Sequence, residues 1–121
     1  MTTERILLLE LGERSWLELR IRAAGNPAAT GKVLMKALED EHWLVRSAAA
    51  GNPAASEKVL MKALEDGYWP VRAAAAGNPR LPRRAAERLL KSRVIQIAEA
   101  LAKNPALPER IRVAARLKAG L

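Results

Sequence analysis

The chain repeats itself every 26 residues, and that period limits what it can fold into. Ala-Gly-Asn-Pro occurs at Ala24–Pro27, Ala50–Pro53 and Ala76–Pro79, and a Lys-Asn-Pro variant at Lys103–Pro105, so Pro27, Pro53, Pro79 and Pro105 stand 26 positions apart. Residues 20–45 and 46–71 are identical at 19 of 26 positions. Similarity at a fixed period of about 20–50 residues marks an array in which each unit contacts only its neighbours. Ahead of the full copies, Glu4–Trp16 aligns without a gap to Glu57–Trp69, which sets Trp16 opposite Trp43 and Trp69. One inserted residue between Trp16 and Arg20 then breaks the register. The reading is a single domain, 1–121, with a partial repeat at 4–19 and repeats at 20–45, 46–71, 72–97 and 98–121.

Each repeat reads as two helices with punctuation between them. The first is short, about Trp43 to Ala50 in the second copy, with Asp40 or Asp66 just ahead to accept from free N–H groups. Pro70 falls at a first helical position, where a missing donor costs little. Gly51 and Gly77 act as stops, and Asn-Pro turns the chain. The second helix opens at the equivalent positions Thr30, Ser56, Pro82 and Pro108, with Ser and Thr as caps and Pro as a first-turn residue. Val59, Leu60, Ala63 and Leu64 form its apolar stripe, and Val45, Ala48 and Ala49 that of the first helix. Phe is absent and only Trp16, Trp43, Trp69 and Tyr68 are aromatic, so the core is built from Leu, Val, Ile and Ala. Alanine favours helix and lets helices approach closely. The expected fold is all-α.

Val-Arg-Ser-Ala-Ala-Ala-Gly-Asn-Pro from Val45, its counterpart from Val71, and the segment Ile97–Leu117 resemble the leucine-rich repeat variant family. Its units run Val-Arg-x-Ala-x-Ala-x-Asn-Pro-x-x-Pro into a Leu-spaced helix. The resemblance covers about residues 16–119, and the Asp40…Arg46 and Asp66…Arg72 spacings are also similar to HEAT-like repeats. It implies a right-handed α-solenoid of about four 26-residue two-helix repeats with a partial N-terminal repeat, and little about activity. Thr30 and Ser56 stand where the family pattern has proline. A relative in that family carries a cysteine-bound iron–sulfur cluster; this chain has no cysteine, so no cofactor is carried over.

Several columns follow from the register. Asn26, Asn52, Asn78 and Asn104 recur at the turn, where an Asn side chain can bond otherwise orphaned backbone groups, giving a structural ladder in preference to a ligand contact. Arg20, Arg46 and Arg72 form a second column, ended by Ala98, with Asp40 and Asp66 near enough for ion pairs between repeats. Trp43 and Trp69, with Tyr68 beside them, could grip a peptide or stack bases, or pack across the seam between helices. His42 has no second metal ligand or nucleophile beside it and reads as a surface residue.

The formal net charge is +8, and residues 80–121 hold 11 basic against 3 acidic side chains, whereas residues 1–79 are balanced at 10 each. Lys32, Lys58, Arg84 and Arg110 share one repeat position, Lys36, Lys62 and Arg88 another, and Lys91 continues the face of Arg84 and Arg88. Such a stripe could follow a phosphate backbone. As a solvated surface it is partly neutral, because Lys36 can reach Glu39 and Lys62 can reach Glu65, while Arg84 and Arg88 have only Glu87 nearby. Arg112 and Arg116 replace Leu60 and Leu64, which suits an end cap.

No catalytic set, phosphate-cradling glycine loop or metal cluster is present in the sequence. Cysteine is absent, compatible with a reducing cytoplasm; the N-terminus lacks a signal-peptide pattern, and no membrane span is expected. The expected function is therefore a cytoplasmic, non-catalytic scaffold for a protein or peptide partner. Sequence-independent nucleic-acid binding through the basic last third is the alternative, and self-association of near-identical repeats a third class.

Overall fold

The computed structural model describes residues 13–121, with side chains from Trp16 onward; residues 4–12 of the partial repeat lie outside the described residues. Among the described residues the regular structure is entirely helical. The elements are α1 (Glu13–Gly25), α2 (Gly31–Ala37), α3 (Trp43–Ala50), α4 (Glu57–Ala63), α5 (Trp69–Ala76), α6 (Arg83–Leu89), α7 (Ile95–Ala102) and α8 (Glu109–Ala119). Helix α1 packs against α3, α3 against α5 and α5 against α7, while α2 lies beside α3 and α4, and α8 packs on α7.

Local chemistry sets where the helices begin. Thr30 Oγ1 accepts from the Val33 N–H at 3.3 Å, and Ser56 Oγ from the Val59 N–H at 3.4 Å. Pro82 and Pro108 occupy the same cap position, one residue before the first-turn site expected for proline, with φ of −62° and −56°. A fixed φ near −65° suits that extended cap residue as well as the first turn, so the start is kept without a side-chain bond. Pro70 is the second residue of α5, where no intrahelical donor is needed.

The first helices α3 and α5 end at the glycines expected as stops. Gly51 and Gly77 have φ of −85° and −83°, and Lys103 fills the same place in the next repeat at −90°. None is left-handed; the conformational freedom of glycine is unused there, and Gly120 alone, at φ 76°, takes the left-handed region among the described residues. What ends these helices is the Asn-Pro pair, because proline disfavours helical geometry in the residue before it.

The core runs through the repeats in columns. Val45, Val71 and Ile97 are buried, as are Ala49, Ala75 and Leu101, and the second helices add Leu34, Leu60 and Ala86. In α3 the buried alanines are Ala49 and Ala50, with Ala48 only half-buried; Leu64 of α4 is likewise half-buried. A further column lies in the loops after Asn-Pro, where Ala55, Leu81 and Leu107 turn inward. Filling each inter-helix layer with alanine keeps it thin, so a single larger side chain such as Leu60, fully buried, carries about 1.5–3 kcal/mol of burial.

The asparagines join one turn to the next. Asn52 Nδ2 donates to the Ala24 carbonyl at 2.7 Å and to the Asn26 carbonyl at 2.8 Å, while its Oδ1 accepts from the Ala54 N–H at 2.8 Å. Asn78 repeats the pattern on Ala50, Asn52 and Arg80 at 2.8, 2.8 and 2.9 Å. Asn104 repeats it on Ala76, Asn78 and Ala106 at 3.0, 2.9 and 3.1 Å. Ala24, Ala50 and Ala76 lie in the last turns of their helices, so the bond reaches a carbonyl that has no intrahelical donor. The Asn26, Asn52 and Asn78 carbonyls also accept the N–H three residues on, from Ala29, Ala55 and Leu81, so both lone pairs are engaged. Asn52, Asn78 and Asn104 are 1% exposed, while Asn26 is exposed.

Two stability outcomes follow. Asn78→Ala strands the buried Ala50 carbonyl and the Arg80 N–H, takes one of two donors from the Asn52 carbonyl, and is expected to cost about 3 kcal/mol in urea unfolding, with Asn26→Ala costing under about 1 kcal/mol. Gly77→Ala, at a right-handed φ where the nearest atom to a new Cβ is 3.7 Å away, is expected to stabilise by about 0.4–1 kcal/mol in the same assay.

Candidate binding surface

A second polar column runs along the junctions ahead of α3, α5 and α7. Arg20 meets the Asp40 carboxylate through Nε at 2.9 Å and through a second nitrogen at 3.3 Å. Arg46 meets Asp66 at 2.7 Å and also donates to the Asp40 and Glu41 carbonyls at 2.9 and 3.1 Å. Arg46 thus ties the junction before its own helix to the next one, with the Arg46 and Asp66 side chains only 19% and 12% exposed. Each aspartate also accepts from the N–H two residues on, His42 or Tyr68, at 2.9 Å. Arg72 keeps the bond to the Asp66 carbonyl, at 2.7 Å, but has no carboxylate partner among the described residues. Ser92 stands in register with Asp40 and Asp66, and its Oγ accepts from the Val94 N–H at 3.1 Å. That break was readable in the register, and sequence reasoning passed over it by following the arginines without the acids.

One member of the aromatic column, Trp16, stands off its register. Helix α1 runs unbroken through Trp16 and Arg20, and Arg20 pairs as Arg46 does, so Arg20 fixes the register along that helix. Counting back from Arg20, Trp16 is in register with His42 and Tyr68, and Leu17 with Trp43, Trp69 and Ile95. Trp43 packs edge-on against Tyr68, with centroids 5.4 Å apart. Trp16, Tyr68, Trp69 and Ile95 are exposed. His42 is not a bare surface residue: it is half-buried, its ring lies beside Trp43, and Nδ1 accepts from the Leu44 N–H at 3.1 Å, capping α3.

The basic residues split into paired and unpaired sets. Lys62 reaches Glu39 of the preceding repeat at 3.1 Å in place of Glu65. Arg84 pairs with Glu57, and Arg110 with Glu87 at 3.1 Å. These bonds cross from one repeat to the preceding one, joining residues 23 or 27 positions apart. Exposed pairs of this kind contribute about 0–1 kcal/mol each. Lys32, Lys36, Lys58, Arg88 and Lys91 are exposed without an ion pair among the described residues. Arg112 is half-buried and donates to the Leu107 carbonyl at 3.1 Å, while Arg116 is exposed.

A groove of about 240 Å³ opens between α1, α2 and α3, floored by Ala23, Val33, Ala37 and Val45 and edged by Arg20 and Asp40. Val33 is 44% exposed there, whereas Val59 in the next repeat is 1% exposed. Among the described residues no group of three or more His, Asp or Glu side chains is placed to hold a metal, and no helix is long and apolar enough to cross a membrane. No family model, curated protein or solved structure matches the chain.

Burial pushes the Asp40 carboxyl up, but the hydrogen bond and charge of Arg20 and the His42 N–H outweigh it and hold the group below its ordinary value of 3.8. The folded state therefore binds fewer protons than the unfolded state around that value. The stabilisation is complete above about pH 4 and is lost as pH falls below it. Urea unfolding of Asp40→Asn beside wild type is expected to show a deficit at pH 7 that shrinks on acidification toward pH 3.

Proposed function

We propose that the chain is a right-handed α-solenoid of about four 26-residue two-helix repeats, resembling the leucine-rich repeat variant family, that serves as a non-catalytic cytoplasmic scaffold for a protein or peptide partner. The carrying observation is a row of large exposed side chains at the starts of the first helices, Tyr68, Trp69 and Ile95, at 44%, 39% and 54% exposure. Aromatic side chains at such densities supply most of the binding energy at protein interfaces. The framework behind them leaves few polar groups unmatched, since the asparagine column and the first two arginines of the arginine column are satisfied internally. A rigid surface loses little entropy on binding, which favours a partner.

Nucleic-acid binding is the second reading, supported by the unpaired cations Arg88 and Lys91 on a chain of net charge +8. The two readings respond in opposite ways to the same variants. Tyr68→Ala with Trp69→Ala is expected to weaken a partner retained at moderate salt by about 2 kcal/mol, roughly thirtyfold. Arg84→Ala with Arg88→Ala is expected to leave that retention unchanged. Salt-sensitive titration of a mixed-sequence oligonucleotide, lost in the arginine pair and kept in the aromatic pair, would reverse the assignment.

A further inference from the structure

The same junction changes sign along the chain. It reads Glu39-Asp40-Glu41 before α3, Glu65-Asp66-Gly67 before α5 and Lys91-Ser92-Arg93 before α7. At the first two, a carboxylate receives the arginine of the preceding first helix, at 2.9 and 2.7 Å. At the third, Ser92 keeps the turn bond to Val94 and cannot supply the charge, while Arg72 remains, half-buried and bonded to the Asp66 carbonyl. Lys91 and Arg93, on either side of Ser92 in the chain, are exposed, and Lys118 donates to the Leu90 carbonyl two residues before Ser92. The aromatic partner is replaced in the same place. Val94 stands where Tyr68 covers Trp43, and Trp69, three residues before Arg72 on one helix face, is 39% exposed.

Resting on the scaffold reading, we infer that Arg72, with Trp69 beside it and Lys91 and Arg93 on either side of Ser92, binds a carboxylate of an acidic peptide, in the place that Asp40 and Asp66 fill at the two earlier junctions. A carboxylate is the group this geometry already accepts twice, through arginine nitrogens in the same register. An apolar residue next to the acid on the peptide meets Trp69 and Ile95, both exposed. The guanidinium is a fixed fork that suits planar carboxylates, and hydrogen bonds to charged groups are stronger than neutral ones.

Ser92→Asp tests this, because it builds in cis the acid that the peptide supplies in trans and copies a junction the fold already contains. The probe is a fluorescein-labelled peptide of Asp and Leu, with an Asn-for-Asp version as control, titrated into the full chain and read by anisotropy. Wild type is expected to bind the acidic peptide at least about tenfold more tightly than the Asn version. Ser92→Asp, shown folded by circular dichroism, is expected to lose that preference, and Lys58→Ala to keep it. Equal binding of the acidic peptide by wild type and Ser92→Asp overturns the site. A mixed-sequence oligonucleotide that binds wild type more tightly than the peptide and is lost in Ser92→Asp overturns the peptide assignment. The scaffold reading fails separately, when wild type retains no partner in the assay on the aromatic pair; a partner held equally by wild type and Ser92→Asp leaves that reading standing and removes this one.

Discussion

Each buried asparagine uses its amide twice on the turn behind it and its oxygen once on its own turn. Asn78 illustrates the constraint, with Nδ2 between the Ala50 and Asn52 carbonyls at 2.8 Å each. An aspartate there would lack the donors, and a glutamine is one carbon longer. Short helices leave a large share of their backbone unsatisfied, because the orphaned groups at each end are nearly as numerous as the bonds between them. Helices α3 and α5, of eight residues each, are therefore held together only if something supplies donors to their last carbonyls. The asparagine does so for the helix behind, so that the same bond that ends one helix sets its distance from the next turn.

Apolar packing then acts on a frame whose spacing is already set. Ala49 and Ala75 are fully buried at neighbouring helices, and any larger residue there would force apart turns that the asparagines hold close. The arginine–aspartate column works at the opposite end of the same helices, where Arg46 grips two carbonyls before its own helix and a carboxylate before the next. Two polar columns flanking an alanine core give a surface with few free hydrogen-bonding groups. On the function proposed above, a ligand meets either the exposed aromatics or the third junction, where Ser92 leaves Arg72 without its acid.

The helical class and the places where helices start were legible because Thr30, Ser56, Pro82 and Pro108 share a single role despite different chemistry. Asn52 was legible as a turn residue for the same reason. The helix ends were legible too, since Gly51 and Gly77 are the residues that cap α3 and α5, although their right-handed φ, shared by Lys103 at the equivalent position, makes no use of the freedom of glycine. Ion pairs were misjudged for a geometric reason: spacing along one helix suggests Lys62 with Glu65, but Glu39 of the preceding repeat is where Lys62 reaches. Trp16 lies one position off the Trp43 column when counted from Arg20, as the extra residue between them in the sequence requires. The inward turn of Ala55, Leu81 and Leu107 left no periodic trace, since one apolar residue in a loop has no pattern to belong to.

The asparagine side chains themselves give the most direct test. The chain has four asparagines, so selective ¹⁵N labelling gives four side-chain amide groups whose hydrogen exchange can be followed by NMR. The amides of Asn52, Asn78 and Asn104 are expected to exchange slowly, at rates approaching those of the core backbone, while that of Asn26, which is exposed, exchanges fast. Four amides exchanging alike at the rate of free asparagine would contradict the account.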